Sequence, residues 1–370
     1  MSGIFFDNCS TTPLCEPAKK VILDNLDEFW NPNSMYEPSR KMRVKVEEAR
    51  EKIAELIDAN SADEIIFTSG GSEANSLALN NKDIISSEIE HSSIKSGYCY
   101  HVNKNGIVDT SNLTYYYDDV GFAEYDHDFM NLITVQYVNN ELGTIQPIKK
   151  IAQFAHENHE EFHSDMVQAA PHMRINVQDL DVDMASFSAH KFNGPKGVGF
   201  LYVKDGVNIH PIIHGTQENG LRGSTENTLG ILATAAALED TVKNLDAINQ
   251  KTAFLAAKLK ETILNIPGVF NNVYGLKTGL VEGLINIRID GVNGSDLVAA
   301  CSEYGIYIST GSACHEGNLM PSNVLKSIGL TDQQALSSVR ISIGRYNTEE
   351  EVNRFCSLFP QIIKVLREQY

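Results

Sequence analysis

The amino-acid sequence predicts an α/β fold, in which a large domain with a mostly parallel sheet is joined to a smaller α+β domain. Short apolar runs bounded by turn residues alternate with helical segments over the first two thirds of the chain. In the last third, segments 284–289 and 340–343 instead alternate apolar and polar residues, as half-buried strands do. The length of 370 residues also suggests about two domains rather than one core.

The elements of the large domain are predicted in order along the chain. Residues 40–57 predict a helix, because Met42, Val46 and Ile53 recur at helical spacing. Since the carboxyl ends of parallel strands meet at one edge of a sheet, we expect the chemistry in the loops beyond the strands. The apolar runs that predict buried strands lie at 65–67, 84–85, 132–138, 184–187 and 198–203.

The chain changes character after Asn227. Residues 229–259 are rich in alanine and predict one or two long helices, and the alternating segments described above follow them. We therefore place the large domain at residues 14–245. The smaller domain is predicted to combine residues 1–13 with residues 246–370.

Composition excludes several kinds of partner. The chain carries 48 acidic and 30 basic side chains, and its formal net charge of -18 repels nucleic-acid phosphates and anionic lipid. The first residues lack a signal-peptide pattern, and no apolar run approaches the ~20 residues that span a bilayer. We expect a cytoplasmic protein with no nucleic-acid or membrane partner. The six cysteines form no close pair, so neither a metal site nor a disulfide framework is predicted.

One lysine is placed where its amine can do chemistry. Lys191 follows the apolar run 184–187 and precedes a Gly194-Pro195 turn. A lysine that is buried at a strand end loses its proton more readily than in water, and the free amine can attack the aldehyde of pyridoxal 5'-phosphate (PLP). An isolated lysine of this kind more often points to solvent, so the interpretation depends on the rest of the chain.

Two upstream segments supply what PLP requires. Asp165 follows a predicted strand, and a carboxylate against the pyridine nitrogen keeps the ring protonated and able to accept electrons. Residues 64–75 predict a strand, a Gly70-Gly71 turn and a helix start, where backbone N–H groups and the helix dipole favour a phosphate. Each feature alone is also common at turns that bind nothing.

Together and in this order, these segments resemble the cysteine desulfurases of the NifS/IscS type, within the class V aminotransferase group of PLP enzymes. The resemblance covers nearly the whole chain and includes the lysine, the acid and a cysteine flanked by small residues. Besides the segments above, it is carried by residues 6–13, 31–34, 89–91, 138–147, 186–197, 309–314 and 338–345.

The resemblance implies the PLP-dependent transferase fold and a role for each site residue. Lys191 would hold PLP and move protons at the α carbon of L-cysteine, and Asp165 would pair with the pyridine nitrogen. His91 would stack on the ring and assist proton transfer as a further catalytic residue. Arg340 would bind the substrate carboxylate, for which its planar fork is suited. The further implied cofactor contacts are Gln168 and Asn140 at the ring hydroxyl, and Gly71, Ser72, Ser188 and His190 at the phosphate. Asn140 would also contact the substrate, together with Arg340.

The resemblance also implies a sulfur-transfer step and a homodimer. Cys314 lies among small polar residues that favour a loop, and its thiolate would take the substrate's sulfur as a persulfide, leaving alanine. Thr225 would reach the phosphate in the neighbouring subunit. The sulfur would then pass to an acceptor protein, such as an iron-sulfur scaffold or a tRNA-thiolation enzyme.

Departures from the family pattern leave alternatives open. Cys9 adds a thiol near the expected site, where it is either a packing residue or a second sulfur carrier. Gly223 and Ser224 are exchanged relative to the usual order, which bears on the phosphate loop. The alternative functions are a selenocysteine lyase or another class V PLP enzyme, and a sulfur-carrier subunit without turnover.

Overall fold

The computed structural model describes residues 3–94, 98–100, 107–108, 131–273, 279–310 and 320–369. A seven-stranded sheet forms the larger part, with the strand order β2-β8-β7-β6-β5-β3-β4. Only β8 is antiparallel to its neighbours, so the sheet is mostly parallel. The strands are β2 (Ile65–Thr68), β3 (Asp83–Ser87), β4 (Tyr98–Tyr100), β5 (Asn131–Thr134), β6 (Glu161–Asp165), β7 (Met184–Ser188) and β8 (Gly199–Val203).

The central strands are buried on both faces, which is why they occur as apolar runs rather than alternating segments. Every residue of β2, β6, β7 and β8 is buried. Stacked rings of Phe187 and Phe200, 4.4 Å apart between centroids, join β7 to β8. The helices of this part are α1 (Glu16–Asp24), α2 (Glu37–Leu56), α3 (Gly71–Leu79), α4 (Ile148–Glu157) and α5 (Val177–Leu180).

The smaller part is built from the two ends of the chain. Strand β1 (Ile4–Phe5) pairs in parallel with β11 (Ile306–Tyr307), and β10 (Leu284–Ile289) pairs antiparallel with both β9 (Val269–Asn271) and β12 (Ser338–Ser342). A separate apolar core joins Ile4 and Phe6 to residues from 255 onward. The accompanying helices are α6 (Thr228–Ile263), α7 (Gly294–Glu303), α8 (Asn323–Ser327), α9 (Asp332–Leu336) and α10 (Glu349–Gln369).

The fold-class prediction of a large, mostly parallel sheet with a smaller α+β part is confirmed. Helix α6 is one continuous helix of 36 residues, where one or two helices were predicted. It begins in the core of the large sheet and ends in the core of the smaller part. The exact division of the chain into two domains near residue 245 stays a prediction.

One strand is shorter than the sequence predicts. The apolar run 132–138 predicts a strand to Val138, but β5 ends at Thr134. Beyond it, Val138 pairs with Ile145 in an isolated bridge, and Gly143 (φ +75°) takes the left-handed conformation within that turn. The apolar character of Val138 therefore indicated that it is buried, but not that the chain turns before it and ends β5 at Thr134. Among the described residues, no helix is both long and apolar enough to cross a membrane.

Candidate active site

A cavity of about 670 Å³ lies beyond the carboxyl ends of β6 and β7 and the N-terminus of α3. This is the edge of the sheet where the sequence analysis expected the chemistry. Of the predicted site residues, Gly71, Ser72, His91, Asn140, Asp165, Gln168, Ser188, His190, Lys191 and Arg340 all border it. Thr225 is described but is not among the lining residues, and the prediction for Cys314 falls outside the described residues.

Lys191 is half-buried and ends the short 3-10 helix 189–191 that follows β7. Its Nζ donates hydrogen bonds to the carbonyl oxygens of Cys9 and Ser10, the latter at 3.0 Å. Burial lowers the pKa of Lys191, and the positive charge of Arg340 acts in the same direction. A larger fraction of this amine is thus deprotonated at neutral pH than in an exposed lysine, and the deprotonated amine is the nucleophilic form.

Asp165 is held by hydrogen bonds to both carboxylate oxygens. Asn75 Nδ2 donates to Oδ2 at 2.8 Å, and the Val167 backbone N–H donates to Oδ1 at 2.9 Å. Asn75 Nδ2 also donates to Ser93 Oγ at 2.8 Å, which ties the aspartate to the turn that carries His91. The carboxylate therefore faces the cavity in one orientation.

The start of α3 forms an anion-binding cradle. Gly70 caps the helix with φ +154°, and its chain can approach β8 closely because Gly199 has no side chain; a Cβ there would lie 2.8 Å from Gly70 Cα. Ser72 and the buried Ser188 border the same end of the cavity. Together with the unpaired N–H groups at the start of this nine-residue helix, these hydroxyls can bind an anion such as a phosphate.

His190 lies beside this cradle as a neutral ring. Its Nδ1 is 3.1 Å from Thr11 Oγ1. Burial, with the positive charges of Lys191 and Lys196, lowers the pKa of His190 to about 4. At neutral pH the ring can donate one hydrogen bond to a phosphate without adding charge.

His91 is exposed, borders the cavity and follows a partly buried acid, Glu90. Its Nδ1 lies 2.8 Å from Ser93 Oγ. Burial raises the pKa of the preceding Glu90 to about 8, although hydrogen bonds from Ser87 and the Gln136 backbone oppose this. Glu90 therefore adds little negative charge near Asp165 at neutral pH.

Arg340 enters the cavity from β12 of the smaller part. Its Nη2 donates to Asp7 Oδ1 at 2.7 Å and its Nη1 to the Asn140 carbonyl at 3.0 Å. The side chain is buried, and its Nε has no hydrogen-bond partner among the described residues. A buried donor without a partner costs stability unless something supplies an acceptor, and a carboxylate would do so.

The loop before α6 is anchored by two ion pairs. Arg222 pairs with Glu73 at 2.8 Å, and the buried Glu218 pairs with Arg50 at 2.7 Å. Burial disfavours ionised Glu73, but hydrogen bonds from Arg222 and Ser69 outweigh it and lower the pKa of that carboxyl. Within this loop, Ser224 has φ +101°, a conformation in which glycine is the usual residue.

The exchange of Gly223 and Ser224 thus has a structural basis. A Cβ at Gly223 would lie 2.2 Å from the carbonyl oxygen of His214 and 3.0 Å from Gly215 Cα. Glycine is required at 223 by this close approach, so the left-handed position falls to a serine. Thr225, the next residue, is exposed.

Comparison with known proteins places this geometry in a family. Residues 4–355 match the model of the class-V aminotransferases. The chain belongs to the class-V aminotransferase family. Within it, the chain is 38% identical to a protein named cysteine desulfurase IscS from Dictyoglomus turgidum, covering 98% of this chain and 95% of that protein. The resemblance stated from the sequence is therefore confirmed.

Two solved structures of this family superpose on most of the chain. The NifS-like protein from Rickettsia africae has a TM-score of 0.89 and 27% identity, covering 98% of this chain and 99% of that one. A structure described as SspA in complex with cysteine has a TM-score of 0.77 and 30% identity, covering 93% of this chain and 100% of that one. Both support the α/β fold described above.

PLP is the cofactor of this class-V enzyme, and the residues present fit it. The cradle at α3 suits a phosphate, Asp165 suits a protonated ring nitrogen, and the amine of Lys191 suits an aldehyde. The cavity also holds a buried oxygen, Asn75 Oδ1, that has no partner among the described residues. The helix N–H groups and serine hydroxyls thus suit an anion, and the amine of Lys191 suits an aldehyde.

Sequence reasoning missed several residues of the site. Asn75 holds Asp165, and Asp7 pairs with Arg340. Asn75 lies one helical turn after Ser72, so helical spacing placed it on the same side of α3. Nothing in the sequence pairs Asp7 with an arginine 333 positions away.

Cys9 borders the cavity but is buried, with 4% of its surface exposed. Burial raises the pKa of the Cys9 thiol, although the charges of Arg340 and Lys191 oppose this. A thiol with a raised pKa is a poor nucleophile at neutral pH. This favours the packing role over the sulfur-carrier role.

A buried histidine beneath the site predicts a specific pH dependence of stability. His163 lies between Thr134 Oγ1 (2.8 Å) and Ser186 Oγ (2.9 Å), and burial lowers its pKa to about 3. Because the folded state favours the neutral ring, this contribution to stability is complete above pH ~6.5 and is lost as the pH falls toward 3. Between pH 7 and pH 5 the loss is about 2 kcal/mol.

Urea unfolding at pH 7 and pH 5 tests this prediction. The unfolding free energy of wild type should fall by about 2 kcal/mol more over this range than that of His163→Gln, since glutamine does not titrate. His210→Gln, at an exposed position, is the matched control and should track wild type. Equal pH dependence of His163→Gln and wild type would contradict the prediction.

Proposed function

We propose that this protein is a PLP-dependent cysteine desulfurase, which converts L-cysteine to L-alanine and passes the sulfur through Cys314 to an acceptor protein. The observation that carries the proposal is the convergence of Lys191, Asp165 and Arg340 on one cavity. Such a site offers an amine, a counter-charge for a pyridine ring and a receptor for an amino-acid carboxylate. The names of the relative from Dictyoglomus turgidum and of the cysteine-bound structure support cysteine as the substrate.

Each residue contributes by binding, orienting or moving a proton. Arg340 holds the substrate carboxylate with its free Nε and its fork, while Asp7 and the Asn140 carbonyl fix the guanidinium. Bound PLP supplies an electron sink for bonds at the α carbon. Lys191, whose pKa is lowered by burial, removes and returns the α proton.

The ring of the cofactor is assigned the following contacts. Asp165 pairs with the pyridine nitrogen, His91 covers the ring face, and Gln168 and Asn140 lie toward the ring hydroxyl. Gln168 Nε2 donates to the Cys9 carbonyl at 2.9 Å, which fixes its orientation. The phosphate is assigned to Gly71, Ser72, Ser188 and His190, and to Thr225 of a second subunit.

Cys314 is assigned the sulfur-accepting thiolate. It follows Ser309 by five residues, and Ser309 borders the cavity. A fully extended chain spans at most about 3.6 Å per residue, so the Cα of Cys314 is within about 18 Å of that serine. The thiolate attacks the substrate sulfur and the carbon–sulfur bond breaks, so the sulfur becomes the outer atom of a persulfide on Cys314. The electron pair of the broken bond stays with the carbon skeleton, which takes up a proton to become alanine.

Incubation with L-cysteine and a reductant tests the function. Sulfide and alanine should form in equal amounts, and mass spectrometry without the reductant should find one added sulfur on the Cys314 peptide. A selenocysteine lyase would release selenide from selenocysteine but no sulfide from cysteine. A carrier subunit would release neither. Either result would replace the desulfurase assignment.

The acceptor is proposed to be a protein of sulfur transfer, such as an iron-sulfur scaffold or a tRNA-thiolation enzyme. The chemistry supports a reducing compartment, and we propose the cytoplasm, because a persulfide must be kept from oxidation. The described cysteines Cys9, Cys15, Cys301 and Cys356 are all free thiols, as such a compartment requires.

A homodimer is proposed to complete the phosphate site. Thr225 is exposed and does not border the cavity of its own chain, although its loop is pinned to the large part by Arg222 and Glu218. Two large apolar side chains that come shortly before α2 are also exposed: Phe29 (81%) and Met35 (90%). An isologous dimer would use one chain's threonine in the other chain's site.

Subunit mixing tests the shared site. Thr225→Ala and Lys191→Ala homodimers should each be strongly impaired, but their hybrid contains one site that carries neither change. The hybrid should recover about half of the wild-type activity, since one of two sites is intact. No recovery in purified hybrids carrying two different tags, or full activity of a sedimenting monomer, would contradict the shared site.

A further inference from the structure

The described segments before and after Cys314 contact either Arg340 itself or the turn whose carbonyl group holds Arg340. Ser309, before the cysteine, exchanges two backbone hydrogen bonds with Arg340, at 2.6 and 3.1 Å. Ser322, after the cysteine, is buried, and its Oγ donates to Glu141 Oε2 at 2.6 Å. Glu141 directly follows Asn140, whose carbonyl receives Arg340 Nη1.

Glu141 is built into the interface between the two parts of the protein. It is 7% exposed, and its carbonyl accepts Asn286 Nδ2 of β10 at 3.0 Å. The Asn139 side chain fixes the turn by accepting the N–H of Glu141 at 2.9 Å. Burial raises the pKa of Glu141, which hydrogen bonding to Ser322 and the charge of Arg340 partly offset. The carboxyl is thus oriented toward Ser322 from a rigid turn.

Ser322 in turn fixes the helix that follows the cysteine. Its Oγ caps α8 by accepting the Leu325 N–H at 3.2 Å. Leu325 and Val324 pack in a small apolar cluster with Ile89 and Leu142 of the larger part. Ile89 lies two residues before His91, so this helix rests on the turn that carries the histidine.

We propose that Glu141 and Ser322 are positioning residues for sulfur transfer, which hold the chain after Cys314 in register with the carboxylate-binding Arg340. This inference rests on the proposed desulfurase function. A bound substrate carboxylate fixes Arg340, and the hydrogen bond from Ser322 to Glu141 fixes the returning chain relative to it. Removing that hydrogen bond leaves proton transfer at the α carbon intact. It misplaces the Cys314 thiolate, and the rate of sulfur transfer depends on the position of that thiolate.

Two reactions of the same holoenzyme separate these effects. Exchange of the α proton of L-alanine with solvent deuterium requires Lys191 but no sulfur acceptor, whereas persulfide formation from L-cysteine requires both. Ser322→Ala should lower the rate of persulfide formation about tenfold and leave alanine exchange within about twofold of wild type. Glu141→Ala should do the same, and the double variant should be no worse than either single one.

Conservative variants and a matched control sharpen the test. Glu141→Gln keeps an acceptor for the Ser322 hydroxyl and Ser322→Thr keeps the hydroxyl, so both should retain persulfide formation. Ser327→Ala changes a serine of the same helix whose Oγ donates to the Val324 carbonyl at 2.9 Å, and it should match wild type.

The outcomes distinguish this proposal from the function on which it rests. Persulfide formation by Ser322→Ala at the rate of Ser327→Ala would overturn the positioning role. So would an equal loss of alanine exchange and persulfide formation, which indicates a general loss of structure. A wild-type protein that exchanges alanine but forms no persulfide would instead overturn the desulfurase function.

Discussion

Lys191→Ala is expected to abolish covalent attachment of PLP and to lower sulfide release by roughly 10³-fold or more. The reason is the burial of this amine at the end of β7, with a lowered pKa and with the cavity in front of it. Borohydride treatment of wild type followed by peptide mapping should place the pyridoxyl label on Lys191. The variant should take up no label.

A surface lysine provides the control for that experiment. Lys149 pairs with Asp179 on the exterior, and Lys149→Ala should keep both the label and the activity. Lys196 is the competing candidate, because it also borders the cavity, but it is exposed. A label on Lys196 in wild type would refute the assignment of Lys191.

Cys314→Ser is expected to separate activation of the substrate from removal of its sulfur. Lys191 and Asp165 remain, so the variant should bind PLP and L-cysteine and should still exchange the α proton of L-alanine. A serine hydroxyl cannot accept sulfur as a persulfide, so sulfide release should fall by about 10²-fold or more. A sulfide electrode and proton NMR in deuterated buffer measure the two activities.

The other cysteines provide controls for Cys314. Cys356→Ser alters a thiol in α10 and should keep sulfide release near that of wild type. Selenium leaves more readily than sulfur, so residual activity of Cys314→Ser toward selenocysteine is compatible with the persulfide role. Wild-type sulfide release by Cys314→Ser, or the added sulfur on another cysteine, would end that role.

The sequence predicted which functional residues lie at the ends of strands better than it predicted the contacts that those residues make. Asp165 ends one fully buried strand and Lys191 follows another. Because parallel strands present their carboxyl ends at one edge, their convergence followed from the pattern. The early end of β5 did not, because Val138 remains buried in a turn and so has the same apolar signature as a strand residue.

Contacts between the two parts of the protein were the least predictable. Asp7 with Arg340, and Glu141 with Ser322, join residues separated by 333 and 181 positions. Propensity and periodicity report on neighbours within a few turns, whereas these pairs depend on how two cores pack. The Arg50–Glu218 pair, within the larger part, likewise joins residues far apart in the sequence, and both side chains are buried.

Strand β1 is the first element of the chain, yet its partner β11 is formed by residues 306 and 307. During synthesis on the ribosome, the large sheet can therefore assemble while the amino-terminal segment still waits for its partner. Asp7 reaches Arg340 only after nearly the whole chain has emerged. The contact that fixes Arg340, which we propose to bind the substrate carboxylate, therefore forms late in synthesis, so we expect a chain truncated before residue 340 to lack the residue proposed to select an amino acid.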